Sequence, residues 1–261
     1  MSEPVTAAKC GALLDALRVK KPLVHFITNY VTVNDCANIT LAVGGAPVMS
    51  DQPDDAAEIC RLASALVFNI GTPGDRTLEA MLRAGKAANE AGIPVVLDPV
   101  GAGASSFRNR LLEKLLEEVK FAAVKGNISE IRFLASGTGK SMGVDASKDD
   151  IALGSDSSAV ARLAAGLSRG IGAVVIVSGR IDVAADGERA YGISNGDAMM
   201  GRLTGTGCMG SGVVASFLGA APSEPLASSI AGMCVMGLAG ELARKKLAPS
   251  SGTGTYRTIL M

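Results

Sequence analysis

The chain has 261 residues, in which 25 Lys and Arg balance 25 Asp and Glu to a formal net charge of zero. That balance argues against a nucleic-acid surface, which needs clustered cations to displace counterions from phosphates. Apolar residues make up 48%, 32 glycines add about 12%, and charged residues are only 19%, which excludes a disordered chain.

The first 22 residues mix acids and bases without an apolar run, so no secretory signal is expected. Strand-like runs lie at 65–70, 94–97, 121–124 and 173–177, each short, apolar throughout and rich in branched residues, as strands covered on both faces must be. Helical stretches at 75–91, 107–119 and 157–169 alternate with them and predict a mostly parallel sheet. The glycine-rich, charged segment 136–150 reads as a surface excursion. Runs 181–185 and 189–193 flank Asp186-Gly187 and predict a late hairpin. Two apolar helices, about 206–219 and 226–247, close the chain. Residues 203–223 carry no charge, but the glycine loop that opens them and the interior Ser211 and Ser216 favour a buried helix over a membrane span. A length of about 1.7 times the roughly 150 residues of a typical domain, with no repeat or long linker, points to one domain over residues 1–261.

Five unpaired-looking cysteines and one histidine exclude a disulfide framework, a zinc ribbon and any multi-histidine metal site, and favour the cytoplasm. His25 reads as a satisfied structural residue. Open parallel sheets bind ligands beyond the carboxyl ends of their strands, which selects 69–72, 98–101, 125–127 and 178–179.

The sharpest chemical signal is Thr204-Gly205-Thr206-Gly207-Cys208, leading into an apolar helix. Converging backbone N–H groups and the helix dipole make an anion hole, with Cys208 in the first turn, where the dipole lowers a thiol pKa. Close helix packing around a buried apolar cysteine explains the same residues. Asp98 at a strand end is a candidate ligand for Mg²⁺ bound through water. Asn127-Ile-Ser-Glu130 fits a capping box, with metal ligation as the alternative for Glu130. Lys125, at the end of a strand, brings a cation to the cleft; a phosphate or a nearby acid would each account for it. Asn29, Asn34 and Asn38 are turn, cap or ligand-binding amides, and Met49 either floors a small apolar pocket or packs in the core. Neither a Walker A loop nor a dinucleotide fingerprint is present.

Taken in order, His25-Phe-Ile-Thr-Asn29, Ala46-Pro-Val-Met49, Asn69-Ile-Gly71, Asp98-Pro-Val-Gly101, Lys125-Gly-Asn-Ile-Ser-Glu130, Ser178-Gly179, Thr204-Gly-Thr-Gly-Cys208 and Gly252-Thr-Gly-Thr-Tyr-Arg257 resemble the hydroxyethylthiazole kinases of thiamine salvage, within the ribokinase-like superfamily. The resemblance implies a three-layer α/β fold and Mg²⁺-dependent transfer of phosphate from ATP to the alcohol of 4-methyl-5-(2-hydroxyethyl)thiazole. It implies that Lys125 and Ser178 contact ATP and that Asp98 and Glu130 serve the metal. Met49, Gly205 and Asn29 would contact the thiazole, and Cys208 would be catalytic with Gly205, Thr206 and Gly207. Superfamily relatives generally carry aspartate where this chain has Cys208. The family also implies a homotrimer with sites between subunits, Asn29 and Met49 serving a neighbour. Rival readings are a kinase for a hydroxymethylpyrimidine or pyridoxal-like alcohol, or a silent thiazole- or nucleotide-binding protein.

Overall fold

Short runs that are apolar at every position have two faces to hide, and the chain hides them within one eight-stranded sheet. The computed structural model describes residues 4–136 and 156–261; residues 137–150 of the predicted excursion lie outside the described residues. The elements are α1 (Ala7–Lys20), β1 (Leu23–Ile27), α2 (Val33–Val43), β2 (Ala46–Met49), α3 (Pro53–Leu62), β3 (Ala65–Asn69), α4 (Asp75–Ala91), β4 (Val95–Asp98), α5 (Ser106–Glu118), β5 (Ala123–Asn127), α6 (Ile128–Ala135), α7 (Ser157–Ile171), β6 (Val174–Ser178), β7 (Asp182–Ala185) and β8 (Ala190–Ile193). A 3₁₀ turn (Ala198–Arg202) then leads to α8 (Thr206–Ala220), α9 (Pro225–Lys246) and α10 (Thr253–Leu260).

Strand order is β2-β1-β3-β4-β5-β6-β7-β8, parallel through β6 and antiparallel in the last two pairings. The predicted hairpin therefore forms one edge. Alternation sorts the strand side chains into two cores. Leu66, Phe68, Val95, Leu97, Val124 and Val175 face the layer of α3 to α7, where Met81, Leu112 and Ile131 pack. Phe26, Val67, Val96, Ala123 and Ile176 face Val214, Leu218 and Met233 of α8 and α9. Outside these two helices lies a third apolar cluster that includes Leu17 of α1 and Tyr256 of α10. The architecture is α/β, with helices on both sides of a mostly parallel sheet.

The uncharged stretch that could have spanned a membrane is helix α8, buried from Met209 to Gly219. Helix α9 also has the length and apolarity of a span, yet 67% of its most apolar window is buried inside the protein. Both are core helices, and α8 is held with its first turn above the carboxyl ends of the central strands.

Candidate active site

One face of the sheet is interrupted by polar side chains at its carboxyl edge. Asn69 ends β3 on the same face as Val67, and Asp98 ends β4 on the face of Val96; the two are register partners. Lys125 lies on the face of Ala123, one residue beyond the Leu97 to Val124 pairing and so beside Asp98. Contrary to the expectation of a lysine at a strand end, Lys125 is inside β5, with two further strand residues after it, and is buried. Asn69, Asp98 and Lys125 thus form a row beneath the first turns of α8. A buried charge must be hydrogen-bonded, and each member is. Asn69 Nδ2 donates to Asp98 Oδ2 at 2.8 Å, and Ser211 Oγ of α8 donates to the same oxygen at 2.8 Å. Lys125 Nζ donates to the Gly207 carbonyl at 2.9 Å.

Helix α8 starts at Gly205, whose φ of 93° is left-handed and whose missing Cβ would lie 2.6 Å from Thr32 Cγ2. Glycine is required there twice, by conformation and by the close approach of α2. Thr206 and Gly207 follow in the first turn, and Cys208 Sγ points at a pair of buried amides. Asn69 Nδ2 is 3.2 Å and Asn29 Nδ2 3.5 Å from the sulfur. Asn29 thus bonds to Cys208 of its own chain. Both of its side-chain polar atoms are engaged: Nδ2 donates to Asn69 Oδ1 at 2.9 Å, and Oδ1 accepts from Thr32 N and Oγ1.

The thiol pKa goes opposite to the dipole-based expectation. Burial raises it, and the Asp98 carboxylate raises it further, against hydrogen bonds from Thr32, Asn69 and Asn29. Glu130 makes the expected capping box with Asn127. Its Oε1 also accepts from Gly101 N at 3.0 Å, tying the loop after β4 to α6. Burial raises the Glu130 pKa, although the amides of Gly101 and Asn127 pull the other way.

Beside the α8 turn opens a cavity of about 510 Å³, with Lys125, Ser178, Asp182, Asn195, Thr206 and Gly207 among its lining residues. Ser178, at the end of β6, donates to the Gly126 carbonyl at 3.3 Å. The structure thus brings Lys125, Ser178, Thr206 and Gly207 to one hollow, and Cys208, Asp98 and Asn29 to an adjoining polar network. Met49 ends the edge strand β2 opposite Phe26 and packs against the core layer that also receives Cys208. Asn34 and Asn38 are exposed on α2 and bond to each other, away from the site. His25 is only half satisfied, contrary to expectation: its ring Nε2 meets the Ser50 carbonyl at 2.9 Å, its buried Nδ1 has no hydrogen-bond partner among the described residues, and burial lowers its pKa.

Sequence reasoning marked Asn69 only as a strand-end residue that could line the cleft and did not single out Ser211 or Thr32 as working residues. Their signal was available as polar residues within apolar runs on the core-facing phase. Arg108 was also missed: its guanidinium donates to the carbonyls of Ile70, Gly71 and Val100, joining the loops after β3 and β4.

Burial is the dominant influence on Asp98 and raises its pKa, despite Lys125, Ser211 and Asn69. A carboxyl with a raised folded pKa adds stability below the ordinary carboxylate range and loses it as pH rises through the folded value. Asp98→Asn is therefore expected to raise the thermal midpoint at neutral pH while abolishing activity. A lowered midpoint in a calorimetric scan would mean that the fold needs the ionised group.

Comparison with known proteins identifies the family. The family described as "Hydroxyethylthiazole kinase family" matches residues 14–261. A hydroxyethylthiazole kinase of Clostridium beijerinckii is 47% identical over 253 residues, covering 97% of this chain and 90% of that protein. The solved hydroxyethylthiazole kinase of Pyrococcus horikoshii superposes with a TM-score of 0.81 at 34% identity, over 96% of this chain and 92% of that one. A ribokinase-like superfamily protein of Enterococcus faecalis shares the fold alone, with a TM-score of 0.60 at 11% identity, over 100% of this chain and 89% of that one. The chain belongs to the hydroxyethylthiazole kinase family.

Proposed function

We infer that the protein phosphorylates the primary alcohol of 4-methyl-5-(2-hydroxyethyl)thiazole with ATP, as one kinase domain over residues 1–261 acting in thiamine salvage. One observation carries this reading: a single glycine-lined helix start borders both the hollow of Lys125 and Ser178 and the network that joins Cys208 to Asp98 through Asn69.

Lys125 and Ser178 hold ATP in the hollow. The N–H groups of Thr206, Gly207 and Cys208 have no partners within α8, since intrahelical bonding begins with Met209 N to Gly205 O. They draw negative charge at the transferred phosphoryl. Met49 and Gly205 contact the thiazole. The alcohol oxygen attacks the γ-phosphorus, the bond to the β,γ-bridging oxygen breaks, and the hydroxyl proton passes to the Cys208 thiolate. A thiol of raised pKa is a minor thiolate near neutrality, but phosphoryl transfer draws mainly on alignment and charge neutralisation.

The donor set fits Mg²⁺. No group of three or more His, Cys, Asp or Glu side chains converges among the described residues. Asp98, Glu130 and Asp182 all have raised pKa values, and the same Lys125 offsets each. One cation among three acids leaves room for another, held by one or two carboxylates, water and phosphates. When bound, Mg²⁺ neutralises the phosphate oxygens; Asp98 and Glu130 would hold it. We also propose a homotrimer with Met49 near a neighbour's site. Tyr30, 78% exposed, and Val31, 60% exposed, offer apolar surface directly after Asn29. The five free cysteines accord with the cytoplasm.

Incubation with ATP, Mg²⁺ and the thiazole alcohol should give a phosphate ester by mass analysis, and a pyridoxal- or pyrimidine-type alcohol much less. Cys208→Ala should lower kcat far more than it raises KM for the alcohol. Because burial places the thiol pKa high, wild-type kcat should climb as pH rises above neutrality, and the variant's should not. Unchanged kcat would remove Cys208 from the chemistry. Glu130→Gln should raise the Mg²⁺ concentration needed for half-maximal rate; a loss of thermal stability alone would leave it only the helix cap. Light scattering should give a trimer mass, and a monomer that turns over normally would end the shared-site reading.

A further inference from the structure

The direction of both amide hydrogen bonds at Cys208 is fixed by two backbone donors. Gly71 N donates to Asn69 Oδ1 at 2.9 Å, and Thr32 N donates to Asn29 Oδ1 at 3.0 Å. A backbone N–H can only donate, so each amide must present its oxygen to the backbone and its Nδ2 to the other side. Each Nδ2 carries two hydrogens, and both are assigned. Those of Asn29 go to Asn69 Oδ1 and Cys208 Sγ; those of Asn69 go to Asp98 Oδ2 and the same sulfur. Asn69 Oδ1 also takes two bonds, from Gly71 N and from Asn29. Both side chains are buried, and neither keeps a hydrogen in reserve for a ligand.

We propose that Asn29 and Asn69 are positioning residues that hold Cys208 Sγ as a hydrogen-bond acceptor and stabilise its thiolate. Two amides donate to the sulfur, and the Thr32 hydroxyl is its third hydrogen-bonding neighbour. The thiol proton first leaves to solvent, two N–H donors stabilise the thiolate that results, and the alcohol's proton then restores the thiol. The proposal rests on the reading that Cys208 takes the alcohol's proton.

Asn69→Asp tests it with almost no change in shape, since it replaces the donating Nδ2 by an acceptor facing the sulfur. kcat and both KM values are measured for the full-length wild type, Asn69→Asp, Cys208→Ala and the double variant, with ATP, Mg²⁺ and the thiazole alcohol. We expect Asn69→Asp to lower kcat about tenfold or more with both KM values within about twofold, and to lower it less than about twofold in the Cys208→Ala background. A full repeat of the loss in that background overturns the proposal, because Asn69 then acts through Asp98 or the fold. A wild-type kcat in Cys208→Ala alone removes the base reading itself, and the proposal with it. Circular dichroism checks folding. Should Asn69→Asp not fold, Asn29→Asp repeats the same cycle from the other amide with the same expected non-additivity.

Discussion

The site is organised around a carboxylate that has no water to lean on. Asp98 is 3% exposed at the end of a central strand. An ion in such a place must be satisfied by fixed donors, because an uncompensated buried charge would cost several kcal/mol or be neutralised by proton uptake. Asn69 supplies one donor from the neighbouring strand and Ser211 another from α8. The first bond ties two strands together, and the second pins the helix to the sheet. Cys208, three residues before Ser211, then lies above Asn69 as a geometric consequence. The distance between thiol and carboxylate is thus set by what Asp98 needs, with no dedicated contact between them.

The same helix start looks two ways. Gly207 takes Lys125 Nζ on its carbonyl and lines the hollow with Thr206. Cys208, the next residue, turns to the amide pair. The aliphatic part of Lys125 runs along α8 so closely that a Cβ on Gly210 would lie 3.1 Å from Lys125 Cε. The glycines in this turn therefore admit a cation under the helix. That arrangement explains how a chain of zero net charge can have a polyanion as co-substrate without a basic surface patch. The cation is inside the sheet, where it is screened by salt far less than a surface group would be.

Short, continuously apolar runs and turn signals carried the fold into the sequence. Helix α4 and the β7–β8 hairpin fall where alternation and Asp186-Gly187 place them. Individual motifs also carried much of the candidate site, since Gly205 to Cys208, Asp98 and Lys125 stand around the α8 turn, while Glu130 sits in the α6 cap. What the sequence did not carry was register. Asn69 opposite Asp98, and Asp98 beside Lys125, follow from strand pairing between residues about thirty apart, which no local pattern encodes. The thiol pKa went astray for a related reason. A helix start is visible in sequence, whereas burial and a carboxylate more than a hundred positions away are tertiary facts, and together they outweigh the dipole.

A thiol of raised pKa also suits the crowd of acids around it. Asp98, Glu130 and Asp182 already share one lysine, and ATP brings further negative charge. A permanent carboxylate at position 208 would add another anion beside Asp98 before the substrate arrived. On the proposed reading the thiol is neutral in most of the resting population and acts from its small thiolate fraction, which is neutralised as the alcohol's proton arrives. Two amide N–H groups, oriented in advance by backbone donors, stabilise that thiolate before the transfer. A small thiolate population and low ground-state repulsion are then one property, and the amide pair makes the first tolerable by stabilising the anion where it forms.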